Sequence, residues 1–119
     1  MKKIIAAVAL TLATIFGLTA CASEPIEVPA GSVIIDVRTP EEFASGHVEG
    51  AVNINLESAE FTDLIGQLDP AGTYFVYCRS GNRSTQAAEY MASVGFTNVT
   101  NLGGYNDASN KLGLPLVTN

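Results

Sequence analysis

The sequence predicts an α/β fold: a largely parallel sheet with helices on both faces. Two observations carry this. Short runs rich in β-branched and aromatic residues alternate with stretches of helical spacing from Val33 to Leu112, and Gly, Pro and Asp clusters punctuate the joins. That order requires crossover connections, so neighbouring strands run parallel and helices cover the sheet.

The elements follow in order. Val33-Ile34-Ile35-Asp36-Val37 reads as a buried strand. Thr39-Pro40-Glu41-Glu42 is a helix start, with Thr39 as N-cap, Pro40 at the first position and Glu42 completing a capping box. Ala51-Val52-Asn53-Ile54 is a short strand, and residues 57–67 have apolar side chains at near-helical spacing. Asp69-Pro70-Ala71-Gly72 is turn chemistry, and Thr73-Tyr74-Phe75-Val76-Tyr77 is a strand. Residues 84–94 read as a helix stopped by Gly95. A last strand lies within residues 96–102 and is broken by Gly103-Gly104; residues 106–112 form a final helix.

The 119 residues suit one compact domain with a core of its own. Two cysteines are too few for a disulfide framework. With a single His they cannot form a four-ligand zinc site, so no metal and no cofactor is expected. The net charge is −6. Without Lys2 and Lys3 the basic residues are Arg38, Arg79, Arg83 and Lys111, against twelve acidic ones. This balance argues against nucleic acid and anionic lipid surfaces as ligands.

Met1-Lys2-Lys3, an apolar run to Gly17 and then Leu18-Thr19-Ala20-Cys21 follow the plan of a secretory signal peptide too short to span comfortably. The tetrapeptide resembles a bacterial lipoprotein signal, which implies cleavage before Cys21 and lipidation of its sulfur. The expected organisation is a leader over residues 1–20, a lipidated tether over 21–30 and a folded domain over 31–119. The expected location is outside the cytoplasm on a bacterial membrane. Ala22 resembles the outer-membrane type where the host has two membranes. Lipidation of Cys21 leaves Cys78 as the one thiol of the processed chain, with no internal partner to resolve it.

Cys78 falls between a strand and a helix, where ligands of parallel sheets bind. The run Cys78-Arg79-Ser80-Gly81-Asn82-Arg83-Ser84 can curl at Gly81 and aim backbone N–H groups at one point. A thiol beside such a nest has a lowered pKa. Arg79 and Arg83 add positive charge for an anion, and Ser80 and Ser84 add donors, with Ser84 also able to cap the helix. The opposing account, an inert buried Cys followed by a polar turn, explains this concentration of arginines, serines, Asn and Gly less well.

Four blocks of the chain together resemble the single-domain rhodaneses. They are Asp36-Val37-Arg38-Thr39-Pro40-Glu41-Glu42-Phe43, Gly46-His47-Val48-Glu49-Gly50-Ala51-Val52-Asn53-Ile54, Tyr77 through Ser84, and Asn101-Leu102-Gly103-Gly104. The resemblance implies a three-layer α/β/α rhodanese-like domain with a mostly parallel five-stranded sheet. It implies a sulfurtransferase in which thiosulfate or another sulfane donor loads Cys78 as a persulfide, and a thiol or cyanide unloads it. It places Asp36 and Arg38 in a buried pair that supports the active loop, gives His47 a structural hydrogen bond, and lets Gly103 and Gly104 bring backbone to the rim. Many relatives carry a Trp after that Gly pair; here Tyr105 and Ala108 occupy the region.

Related phosphatases place five residues between the Cys and an Arg. Cys78 and Arg83 enclose four, which resembles the sulfurtransferase branch. Phosphatase or arsenate reductase chemistry is thereby disfavoured. A non-enzymatic sulfur relay that docks a partner protein shares the same persulfide and stays open.

Overall fold

The computed structural model of the chain describes residues 25–118. The leader, Cys21 and its expected lipidation lie outside these residues. Strand β1 (Val33–Asp36) leads to α1 (Pro40–Ser45), β2 (His47–Val48), β3 (Val52–Asn53) and α2 (Phe61–Gly66). Then come β4 (Tyr74–Cys78), α3 (Asn82–Ser93), β5 (Val99–Gly104), α4 (Tyr105–Leu112) and β6 (Leu116–Val117).

Strands β3, β1, β4 and β5 pair in that order, all parallel. The period-two alternation of side chains sorts the core into two clusters. Ile35, Val37, Tyr74, Val76 and Cys78 face one side and pack with Phe61 and Ile65 of α2 and Ala87 and Met91 of α3. Ile34, Phe75 and Tyr77 face the other and pack with Leu102, Ala108 and Leu112. The sheet is thus covered on both faces, as the alternating pattern requires.

The expectation of five strands in the sheet is corrected to four. The remaining pairing is a separate antiparallel ribbon, His47 opposite Val117 and Val48 opposite Leu116. Val48 packs into the second core cluster and donates its N–H to Tyr77 Oη at 3.0 Å, so the ribbon lies against a face of the sheet and not along its edge. The second helix is also shorter than its apolar spacing suggests, covering only Phe61–Gly66. Asn55 Oδ1 accepts from Glu57 N and Ser58 Oγ accepts from Glu60 N, local turns that compete with helix over residues 55–60.

Gly103 and Gly104 do not break the last strand. They extend it through a bulge in which Val76 faces Asn101 while Tyr77 faces Gly103, leaving Leu102 as the extra residue. Gly103 adopts φ +87°, a conformation that favours glycine. The bulge sets Gly104 directly opposite Cys78.

Folded contacts begin before residue 31, where the tether was expected to end. Ile26 donates its N–H to the Lys111 carbonyl, and Val28 packs against the second core cluster. Pro25 lies against Gly113, at the end of α4 away from the Cys78 loop.

Candidate active site

Cys78 is the last residue of β4, at the carboxyl end of the central strands, and is 1% exposed. The chain then turns through Gly81, which has φ +105° and serves as N-cap of α3. This turn brings Gly81 N–H to Cys78 Sγ at 2.9 Å and Ser84 Oγ to 3.5 Å from the same sulfur. Burial pushes the thiol up. The Ser84 hydroxyl and the backbone N–H groups of Ser84, Gly81 and Ser80 outweigh it and hold Cys78 below the usual thiol range. The loop therefore favours thiolate by hydrogen bonding at a nearly dry position.

The rate of Cys78 alkylation by iodoacetamide should accordingly reach its plateau at a lower pH than that of free cysteine. Ser84→Ala should move the midpoint upward, since it removes one stabilising donor and leaves the burial. An unmoved midpoint would show that Ser84 does not stabilise the thiolate.

Ser84 is buried at the third position of α3, and its hydroxyl lies 3.1 Å from the Gly81 carbonyl, so its one proton can turn to that carbonyl or to the Cys78 thiolate. Its expected role as cap passes to Gly81. Ser80 and Asn82 are exposed; Asn82 accepts from Gln86 along the helix, and Ser80 acts on the sulfur through its backbone. Arg79 is exposed and, among the described residues, makes no ion pair.

Arg83, expected to bind substrate, is paired with a carboxylate. Its Nη1 and Nη2 donate to Glu42 Oε1 and Oε2 at 2.7 and 3.0 Å, a bidentate pair that ties α3 to α1. Glu42 Oε1 also accepts from Thr39 N and Oγ1, closing the capping box. Sequence spacing pointed to Glu42 only as a helix-start residue. Its partner lies 41 positions on, with no local signal to announce it.

Arg83, aided by Thr39, pulls the Glu42 carboxyl down to about 2 against the opposing effect of burial. A depressed folded-state pKa adds stability above the unfolded value and loses it as pH falls through the folded one. The contribution of this pair, whose side chains are 21% and 26% exposed, about 1 kcal/mol after solvent screening, should fade between about pH 4.5 and about pH 2. Urea midpoints of wild type and Glu42→Gln should converge over that window; a constant gap would argue against the pair.

Asp36 and Arg38 form the expected buried pair. Arg38 Nε lies 3.0 Å from both Asp36 oxygens, Nη2 lies 2.7 Å from Oδ2, and Arg38 N donates to Oδ1 at 2.9 Å. Arg38 Nη2 also donates to the Gly46 carbonyl at 2.6 Å. Asn53, not singled out from the sequence, donates its amide to the carbonyls of both Asp36 and Arg38. His47 Nδ1 is 2.8 Å from the Phe43 carbonyl, and its ring stacks on Phe43, matching the structural role expected of it.

A polar cleft of about 240 Å³ opens beside the loop, lined by Arg38, Glu42, Ser45, Arg79 and Tyr105. Tyr105, in the region where the resemblance implied a Trp, lies with its ring centroid 4.8 Å from the Arg38 guanidinium carbon. Gly104, one residue earlier, touches the loop so closely that a Cβ there would lie 2.6 Å from the Arg79 carbonyl oxygen. Gly104→Ala must therefore displace loop backbone. A shift of that kind next to a reacting atom should lower turnover by about 10²-fold. A turnover assay of the Cys78 chemistry beside a thermal melt checks this; full activity in the folded variant would show that loop position is not limiting.

The rhodanese-like domain family profile matches residues 21–111 of the chain. The thiosulfate sulfurtransferase PspE of Escherichia coli (strain K12) is 38% identical over 98 residues, 82% of this chain and 86% of that protein. The thiosulfate sulfurtransferase GlpE of Pseudomonas entomophila is 36% identical over 62% of this chain and 66% of its own length. Among solved structures, a rhodanese with anions from E. coli superposes with TM-score 0.62 at 35% identity, covering 75% of this chain and all of that one. A rhodanese-related protein of Thermoplasma volcanium gives TM-score 0.62 at 30% identity, covering 74% and 85%.

Proposed function

The chain belongs to the rhodanese-like domain family, and from that premise we propose that it is a sulfurtransferase acting through a Cys78 persulfide. The observation that carries the reading is the buried Cys78 sulfur held by Gly81 N–H at 2.9 Å beside Ser84. In the first half-reaction the Cys78 thiolate attacks the outer sulfur of thiosulfate. The sulfur–sulfur bond breaks and sulfite leaves with the electron pair. In the second, a thiol or cyanide attacks the outer sulfur of the persulfide, and the pair returns to Sγ as thiolate. Thiosulfate as donor is favoured by the names of the relatives at 36–38% identity.

Arg79 is the charge best placed to meet an incoming anion, since Arg83 is occupied by Glu42. The same occupancy weighs against phosphatase chemistry, which would call on the loop arginine to grip phosphate. Arg79→Ala should raise the KM for thiosulfate more than it lowers kcat, the pattern of uniform binding; a pure kcat loss would contradict that role.

The central test is mass spectrometry after thiosulfate treatment, which should find one added sulfur on Cys78. A folded protein that gains none would overturn the proposal.

The proposal extends to location. The leader and Cys21 support a lipid-anchored protein outside the cytoplasm, facing the periplasm where the host has two membranes. Small anionic donors and a thiol, cyanide or partner protein as acceptor would reach it there. Cys21→Ala should release the protein from the membrane fraction.

A further inference from the structure

The loading step calls on one residue of the cleft beside the loop, Arg79, and leaves the rest of its lining without a role. Its walls carry five polar or aromatic side chains from three parts of the chain: Arg38, Glu42 and Ser45, then Arg79, then Tyr105. Their charges are unequally committed. Arg38 is paired with Asp36, and Glu42 is paired with Arg83. Each of these pairs is neutral as a unit. Arg79 is exposed and, among the described residues, in no ion pair, so one positive charge in the lining is left uncompensated.

The cleft also lies next to the reacting sulfur without containing it. Arg79 directly follows Cys78, and Tyr105 directly follows Gly104, which sits opposite Cys78 in the sheet. Cys78 points its side chain to one face of the sheet, whereas Tyr77, which the Arg38 guanidinium approaches at 5.8 Å, points to the other. The cleft therefore adjoins the Cys78 loop at the carboxyl end of the strands, where Arg79 and Tyr105 stand one residue from Cys78 and from the residue opposite it.

We propose that this cleft is the acceptor subsite, and that it selects a small thiol bearing a carboxylate, which Arg79 holds while the thiolate reaches the Cys78 persulfide. The inference rests on the persulfide reading above. The acceptor thiolate attacks the outer sulfur, the Cys78 sulfur–sulfur bond breaks, its electron pair returns to Cys78 Sγ, and the acceptor leaves as a persulfide. Arg79 binds the carboxylate at the far end and takes no part in the electron transfer. The Tyr105 hydroxyl offers a further donor along the same wall, while the Ser45 hydroxyl is given to the Glu42 carbonyl at 2.7 Å. Glu42 is held by Arg83 and Thr39, so its negative charge is largely balanced where the carboxylate would sit.

Single-turnover discharge separates this subsite from the loading step. Protein is first loaded with thiosulfate and the Cys78 persulfide is verified by mass. It is then mixed with 3-mercaptopropionate or with 3-mercaptopropionamide, a neutral thiol of the same shape. The quantity read is the ratio of the two second-order discharge rates, and comparing variants by this ratio cancels the difference in intrinsic thiol reactivity. Arg79→Ala should lower the ratio by roughly 1.5-fold to fivefold, the range for a solvent-exposed charge pair. Arg79→Lys should recover most of it, and added salt should lower the wild-type ratio toward that of Arg79→Ala. An unchanged ratio in loaded Arg79→Ala overturns the subsite and leaves the sulfurtransferase reading standing. Failure of folded wild type to load any persulfide overturns both.

Discussion

Cys78→Ser is expected to lower thiosulfate:cyanide sulfurtransferase turnover by at least about 10³-fold, because a serine hydroxyl cannot carry the transferred sulfur. The variant should nonetheless fold. The side chain is buried at the end of a strand, and the hydroxyl can still accept the Gly81 N–H and meet Ser84 Oγ, so no buried donor is orphaned. This combination gives the result its meaning. Loss of activity with an intact melting transition places the chemistry on the sulfur. Loss of both would make Cys78 a packing residue, as expected of an inert buried thiol. Cys78 is the free cysteine among the described residues, so none of them supplies a second thiol to rescue the variant or resolve a persulfide. Retained turnover in Cys78→Ser would remove the persulfide mechanism altogether.

What the sequence made legible was local. Thr39, Pro40 and Glu42 lie within four positions, and their capping box forms as the spacing predicts. The β1 and β4 runs alternate faces as strands should, and Gly81 takes the positive φ its loop requires. What stayed hidden depended on distance or on a competing local bond. Glu42 looked complete as a helix start, yet its carboxylate has room for a second, bidentate partner that arrives from α3. The apolar pattern of residues 57–67 was real, but Asn55 and Ser58 hold the first part of it in turns. Gly103-Gly104 read as punctuation because glycine weakens strands. Here it is what permits the bulge and the approach of β5 to the Arg79 carbonyl, a tertiary requirement that no window of sequence expresses.

Asp36→Ala is expected to cost about 3–5 kcal/mol, a large share of a small domain's stability. The carboxylate is fully buried and takes three donor groups of Arg38: the backbone N, Nε and Nη2. Burial opposes the charge on Arg38, and Asp36 overcomes that opposition and keeps the guanidinium fully ionised. Without Asp36 the guanidinium keeps its contacts to Gly46 and to the Tyr105 ring but loses its counter-charge at a site where its side chain is 4% exposed. The cost is therefore chiefly that of a stranded charge and only secondarily that of lost contacts. A double variant distinguishes the two. Asp36→Ala with Arg38→Met removes the stranded charge and should recover part of the loss, so the urea midpoint of the double variant should exceed that of Asp36→Ala alone. A midpoint equal to or below it would mean that the pair stabilises by its own attraction. The same cycle reports on the active loop, because Arg38 and Tyr105 form one wall of the cleft that Arg79 completes. The double variant should regain stability without regaining wild-type acceptor kinetics, since the methionine leaves Tyr105 without the cation it rests on.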